Sequence, residues 1–169
     1  MPFAVTHVLL TMIILELYRD YFVKNKKKFP LHFVFLGGIA GLFPDIDMLL
    51  GWILKPFGLV MVHGMVTHTI FFALTFLAIA MIYSRFNKEA STLFLIFFFG
   101  VSFHLFLDYL LGGGYYAGSM LFYPLSFKLY KLHLIASTNI QNLMLGLDAI
   151  ILLLWLYHEE RRHKISSFF

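Results

Sequence analysis

Long apolar segments, separated by short polar ones, dominate the sequence. A helix needs roughly 20 apolar residues to cross a bilayer core of ~30 Å, and several segments reach that length. The pattern predicts five membrane-spanning helices, at residues 3–23, 31–54, 62–83, 92–111 and about 142–157. The first segment has neither a basic region before it nor a small-residue cleavage site after it, which indicates a retained helix rather than a signal peptide.

Composition supports a membrane protein. Of the 169 residues 60% are hydrophobic and only 13% are charged, with a mean hydropathy of +0.82, whereas soluble domains are about 45–50% apolar and about 25% charged. We therefore expect an all-α integral membrane bundle that forms a single domain over residues 1–169. There is no cysteine, so a metal would be bound by nitrogen and oxygen ligands.

The basic residues predict an orientation in the membrane. With five spans, nine basic residues fall in the loops and tail on one side, and three fall on the other. The side with more Lys and Arg is expected to be cytoplasmic. The sequence thus predicts a multi-pass plasma or inner membrane protein with its N-terminus outside and its C-terminus in the cytoplasm. The nine are Lys24, Lys26, Lys27, Lys28, Arg85, Lys88, Arg161, Arg162 and Lys164, and the three are Lys55, Lys128 and Lys131.

Two ionisable residues interrupt the fourth apolar segment. His104 and Asp108 are four residues apart, so on a helix they lie one turn apart on the same face. An imidazole and a carboxylate in this arrangement are typical metal ligands, and both are costly in hydrocarbon. The alternative is a buried hydrogen bond that only stabilises helix packing.

The other candidate ligands favour the metal interpretation. Because successive spans run in opposite directions, the polar residues near their outer ends meet at one depth of the bundle. Scattered structural histidines would not be expected to do this. The set comprises His7, Asp45, Asp47, His63, His68, His104 and Asp108.

Local geometry ranks these candidates. Pro44 is expected to begin a new helical segment, and Asp45 beside that helix start is the favoured ligand, while Asp47 would cap, support a ligand or act as a base. His63 and His68 would lie about 140° apart if both were helical. His68 is then the better ligand, and His63 is left to contact a second metal, a phosphate or a leaving group. We therefore predict catalytic roles for Asp47 and His63.

These motifs resemble a known family. The ordered set is Thr6-His7, Pro44-Asp45-Ile46-Asp47, His63-x-x-x-Thr67-His68, and His104-x-x-x-Asp108 followed by a Gly-rich stretch and Tyr123-Pro124. It is similar to the YdjM-like family of membrane-bound metal-dependent hydrolases, itself regarded as distantly similar to zinc-dependent phospholipase C, over about residues 6–125. The resemblance implies one or two zinc ions, with Asp108 able to bridge two. The implied ligands are His7, Asp45, His68, His104 and Asp108.

Two positions depart from that family's pattern. Gly64-Met65 stands where the family commonly has Arg-Gly, so a phosphate-contacting arginine is missing. Asn142 stands where it often has Glu, which argues against a third metal.

The expected activity is hydrolysis of a phosphoester in a membrane lipid or lipid-linked substrate, because the site is predicted to lie near headgroup depth. Zinc would activate water and polarise a phosphoryl or carbonyl oxygen. A divalent-cation or proton-coupled transporter is the main alternative, since His and Asp within spans also line ion pathways. A degenerate hydrolase acting as a scaffold is a third. No partner among nucleic acids is expected.

The remaining polar residues carry less information. Asp148 is ionisable within the fifth span, so it is either functional or hydrogen-bonded to a neighbouring helix. His32, His133, His158 and His163 are interpreted as solvated, and Tyr115, Tyr116 and Tyr123 as part of an aromatic belt at the membrane interface.

Overall fold

The described part of the chain is helical. The computed structural model describes residues 4–59, 62–111, 118–132 and 140–163, with backbone alone at 140–145 and 163. These residues contain no strand, only an isolated bridge between Ser119 and Tyr130, which confirms the all-α prediction for this part of the chain. The helices are α1 (Ala4–Tyr21), α2 (Leu31–Leu42), α3 (Ile46–Leu54), α4 (Ile70–Tyr83), α5 (Lys88–Leu111) and α6 (Ile140–His163).

Helices α2 and α3 together form the second predicted span. A 3₁₀ turn at Phe43–Asp45, with Pro44 in its first turn, joins them, because proline has no N–H to continue an α-helix but suits a helix start. Within the described ranges, the segments Leu31–Phe57 and Lys88–Leu111 are long and apolar enough to cross a membrane. Helix α4 is equally apolar but has only 14 residues.

The prediction of a helix over residues 62–83 is wrong at its start. Helix α4 begins at Ile70, where the side chain of Thr69 caps it by accepting a hydrogen bond from the Phe72 amide at 3.0 Å. Residues 62–69 form turns, and Gly64 has a φ of 87°, a backbone conformation that ends helices. The helical spacing assumed for His63 and His68 therefore does not apply.

Side-chain pairs give the relative directions of the helices. Gly37 packs on Leu15 and Gly41 on Thr11, so α1 and α2 are antiparallel. Ser91 donates to the Ala80 carbonyl at 2.9 Å across the α4–α5 turn, and these two helices are antiparallel as well.

Two further pairs complete the pattern. Thr6 contacts Asp148 and Glu16 contacts Trp155, so α1 and α6 are parallel, because both contacts advance in the same direction along the two helices. Gly37 also packs on Ile96 and Gly41 on His104, which makes α2 and α5 parallel. All four directions agree with a chain that alternates from one end of the bundle to the other.

Helices α2 and α5 approach closely where small residues face each other. A Cβ added to Gly100 would lie 2.6 Å from the Ala40 Cβ and 2.8 Å from the Gly41 nitrogen, so neither helix can move further in or accept a side chain there. One turn further along α5 is His104. The contact therefore holds that histidine against the backbone of α2.

The two ends of α1 lie in different surroundings. Below the histidine-rich end, a buried apolar cluster fills the space between α1, α2 and α5; it consists of Leu15, Phe29, Phe33, Val34 and Ile96. At the far end Trp155 donates to Glu16 at 2.5 Å, and Asp20 accepts from Lys26 and Arg19 at 2.7 and 3.1 Å. Burial and a hydrogen bond with Glu16 raise the pKa of Glu159 well above its usual value.

Candidate metal centre

Four ligand atoms converge between α2, α5 and the loop before α4. They are His68 Nε2, His104 Nε2, Asp45 Oδ1 and Asp108 Oδ2, and five of the separations among them lie between 3.3 and 3.6 Å. Zinc bonds of about 2.0–2.1 Å in tetrahedral geometry correspond to ligand–ligand separations of roughly 3.3–3.4 Å. Five of the six separations in this four-ligand cluster are therefore close to those of a tetrahedral zinc site.

The fifth predicted ligand, His7, adjoins this cluster through Asp108. His7 Nε2 lies 3.4 Å from Asp108 Oδ1, whereas Asp108 Oδ2 faces His68 and His104. The His7 ring also stacks on that of His104, with centroids 3.8 Å apart. Asp108 thus presents one oxygen to the cluster and the other to His7, an arrangement that suits a bridge between two ions.

The tautomer of His104 follows from its partner. Its Nδ1 lies 2.7 Å from the Gly41 carbonyl oxygen, which can only accept, so Nδ1 carries the hydrogen and donates it. Nε2 then directs its lone pair into the cluster. The close contact at Gly100 supports this arrangement, because it brings the α2 carbonyl within reach of the ring.

Asp47 positions His68 from the opposite side. His68 Nδ1 lies 3.2 Å from Asp47 Oδ2, the carboxylate–histidine pairing that fixes the tautomer and orientation of metal-binding imidazoles. The same oxygen accepts from the Thr67 hydroxyl at 3.0 Å and from the Gly64 amide at 3.2 Å. His63 Nδ1 donates to the other oxygen at 2.7 Å. One carboxylate thereby anchors the whole loop that carries both histidines.

The chemistry of the cluster fits a divalent cation. Several buried atoms have no hydrogen-bond partner in the described structure: both ring nitrogens of His7, Oδ1 of Asp45 and both carboxylate oxygens of Asp108. Buried polar groups are rarely left unpaired, and lone pairs directed at one point repel one another unless a cation or protons lie between them. Three groups of residues have the spacing to bind a metal: His7 with His104 and Asp108, Asp45 with His68 and His104, and Asp47 with His63 and His68.

Asp47→Asn should weaken metal binding by about 10- to 100-fold with the fold intact, the usual effect of losing a group that orients a ligand. An amide has one accepting oxygen, so it cannot accept at both of the positions that the Asp47 carboxylate occupies. Metal titration of the purified protein measures the change, and the exposed Glu89→Gln is the matched control. A variant with parental metal affinity but slower turnover would instead support Asp47 as a base.

The remaining predictions on polar residues have different outcomes. Asp148 accepts from the Thr6 hydroxyl at 2.8 Å, which confirms a hydrogen bond to a neighbouring helix. His32 is exposed, whereas His158 is partly buried and its Nε2 is fully buried, so the interpretation of His158 as solvated is wrong. His133, Tyr115 and Tyr116, and the side chains of Asn142 and His163, lie outside the described residues.

Comparison with known proteins supports the resemblance noted in the sequence. A family model described as the YdjM inner membrane protein matches residues 1–169. The chain belongs to this family. The match extends beyond the predicted residues 6–125, and the family description indicates an inner membrane protein. Neither a curated protein nor a solved structure matches the sequence. The hydrolase activity and the likeness to phospholipase C stay predictions.

The sequence interpretation missed the backbone groups of the site. The Gly41 carbonyl and the Gly64 amide hold His104 and Asp47 in place. Both are backbone groups of glycines, so no side chain in the sequence indicates their role. The glycines in the sequence could have indicated this backbone contact, because Gly37, Gly38 and Gly41 allow one helix to approach a neighbour closely.

Proposed function

We propose that this family member is a membrane-embedded, divalent-metal-dependent hydrolase that acts on a phosphoester of a lipid or lipid-linked substrate. The observation that carries the proposal is the four-ligand cluster, with separations of 3.3–3.6 Å and buried oxygens without partners. Two histidines and two carboxylates are a usual ligand set for zinc. One or two ions are proposed, with His7 and Asp108 Oδ1 supplying the second position.

We further propose that five helical segments span the membrane, with the metal centre toward its outer face. Large apolar side chains on the helix surfaces support this. Trp52 is 74% exposed, Leu153 65% and Leu154 64%, and many large apolar side chains exposed in this way are typical of contact with a membrane or partner.

Each residue has a role in the proposed reaction. A bound zinc ion would supply an activated water and polarise the phosphoryl oxygen. His68 and His104 are each held in one tautomer, and Asp47 positions His68. Asp45 and Asp108 would balance the charge of the ion. His63 Nε2 lies 4.0 Å from Asp45 Oδ1, where the imidazole can contact a phosphate or transfer a proton to the leaving group.

Hydrolysis of a phosphoester reporter by the protein in detergent tests this proposal. Activity should disappear with a chelator and return with zinc or manganese. His63→Ala should retain metal while its rate falls by about 10²-fold or more.

Transport would give a different result. A pathway needs polar groups through the full membrane depth, but the buried apolar cluster around Leu15, Phe33 and Ile96 lies directly below the metal centre. Metal flux into sealed vesicles, with no chelator-sensitive hydrolysis of any phosphoester, would refute the hydrolase and support the transporter.

The proposed topology predicts which positions can be labelled from outside the cell. The chain has no cysteine, so a single introduced cysteine is labelled with no background from native cysteines. Leu125→Cys should react with a membrane-impermeant maleimide in intact cells, and Lys27→Cys should react only after lysis, because both side chains are exposed in the protein. The reverse labelling pattern would mean that the protein has the opposite orientation in the membrane.

A further inference from the structure

The described metal centre opens to the surface at Asp45. The Asp45 side chain is 15% exposed, and that of neighbouring His63 is 21% exposed. The other four predicted ligands, His7, His68, His104 and Asp108, have side chains at 0%. In the part of the chain that is described, a substrate therefore reaches the ligand atoms past Asp45.

An apolar groove of about 280 Å³ starts at this opening. It is lined by Ile39, Leu42, Phe43, Asp45, Ile46 and Leu49, and among these described residues only Asp45 carries a charge. The groove lies where the 3₁₀ turn separates α2 from α3. Leu42, at the end of α2, and Leu49, in α3, line the groove on either side of that turn.

We propose that this groove binds one hydrocarbon chain of the substrate lipid while the phosphoester of that lipid lies at Asp45. The inference rests on the proposed function and adds a chain-binding site to it. The groove belongs to a segment apolar and long enough to cross a membrane, so a lipid would enter from the side without leaving the bilayer. A small polar phosphoester would leave the apolar wall uncovered, whereas an acyl chain covers it and gains hydrophobic contact.

A second apolar cavity provides a matched control. It measures about 340 Å³ between α4 and α5, and its lining includes Leu74, Phe98, Leu105 and Tyr109 but none of the predicted metal ligands. Leu74 is 41% exposed and Leu42 is 37% exposed, so tryptophan at either position faces outward to a similar extent. Only the substitution at Leu42 fills the proposed chain site.

Kinetics with two substrates test the groove. Leu42→Trp and Leu49→Trp should lower kcat/KM for phosphatidylglycerol by about 10-fold or more, and they should leave kcat/KM for a chainless nitrophenyl phosphoester within about 2-fold. Leu74→Trp should change neither. Equal losses on both substrates, or no loss on the lipid, would overturn the chain site.

A binding measurement separates this inference from the proposed reaction. The protein is loaded with zinc in nanodiscs that contain phosphatidylglycerol with a diazirine on one acyl chain, and crosslinked peptides are identified by mass spectrometry. Labelling of residues 39–49 should fall with a chelator and with Leu42→Trp, but not with Leu74→Trp. Labelling that the chelator leaves unchanged would identify bulk lipid only and refute the site. Chelator-sensitive labelling without hydrolysis of any ester would retain the groove and refute the hydrolase.

Discussion

His104→Ala and Asp108→Ala should each remove most of the divalent metal from the purified protein, with affinity falling on the order of 100-fold or more. Both side chains are fully buried, and both contribute atoms to the four-ligand cluster. Asp108 also faces His7 at 3.4 Å, so its loss should affect both proposed ion positions. Elemental analysis by mass spectrometry measures the bound metal.

Misfolding must be separated from ligand loss in that experiment. Removing one partner from a buried set leaves the others unpaired, which destabilises a protein. His104→Gln and Asp108→Asn retain bulk and polarity, so thermal unfolding in detergent should show them better folded than the alanine variants but still depleted of metal. The exposed His32→Ala should retain the parental metal content. Parental metal in His104→Ala would mean that the His104–Asp108 pair is structural.

Asp45→Asn should reduce turnover of a phosphoester by about 10²-fold or more while the protein stays folded. Asp45 lies at the N-cap of α3, but its side chain makes no capping hydrogen bond, so the amide does not weaken the helix. The substitution replaces an anionic ligand with a neutral amide that binds a cation more weakly, so the ion would be held less firmly where it activates water. Turnover measured at saturating zinc separates slower chemistry from weaker metal binding.

A buried carboxylate outside the cluster provides the control. Asp148 accepts from Thr6, and an asparagine oxygen at that position accepts equally well, so Asp148→Asn should retain parental turnover. Parental turnover in Asp45→Asn would exclude this carboxylate from the reaction.

Much of this architecture could be predicted from the sequence because hydrophobic length and residue spacing are local properties. The i, i+4 spacing of His104 and Asp108 depends only on the helix that carries them, and Pro44 starts a new segment through its own missing N–H. The alternation of apolar segments brought His7, Asp45 and His68 to the same end of the bundle, and the structure does group these side chains.

The loop before α4 could not be predicted in the same way. Val62, Met65 and Val66 extend the apolar pattern of α4 toward the N-terminus, which favours a helix, but contacts distant in sequence decide otherwise. Met120 donates to the Gly64 carbonyl at 3.0 Å, and Ile70 donates to the Leu121 carbonyl at 2.9 Å. Because these hydrogen bonds satisfy the backbone of the loop without a helix, His63 and His68 both contact Asp47. Helical spacing had instead predicted that the two histidines point in different directions.

The tight contact of α5 on α2 also bears on how sequences in this family can vary. At Gly100 an added methyl group would lie 2.8 Å from backbone atoms of α2. Backbone atoms cannot move out of the way as a flexible side chain can. At Gly146, by contrast, no atom of the described residues lies within 4 Å of an added Cβ. A library of all single substitutions should therefore tolerate many residues at 146 and almost none at 100. Gly100, which has no side chain to bind metal or substrate, would then tolerate as few substitutions as the predicted ligand His104 one turn away.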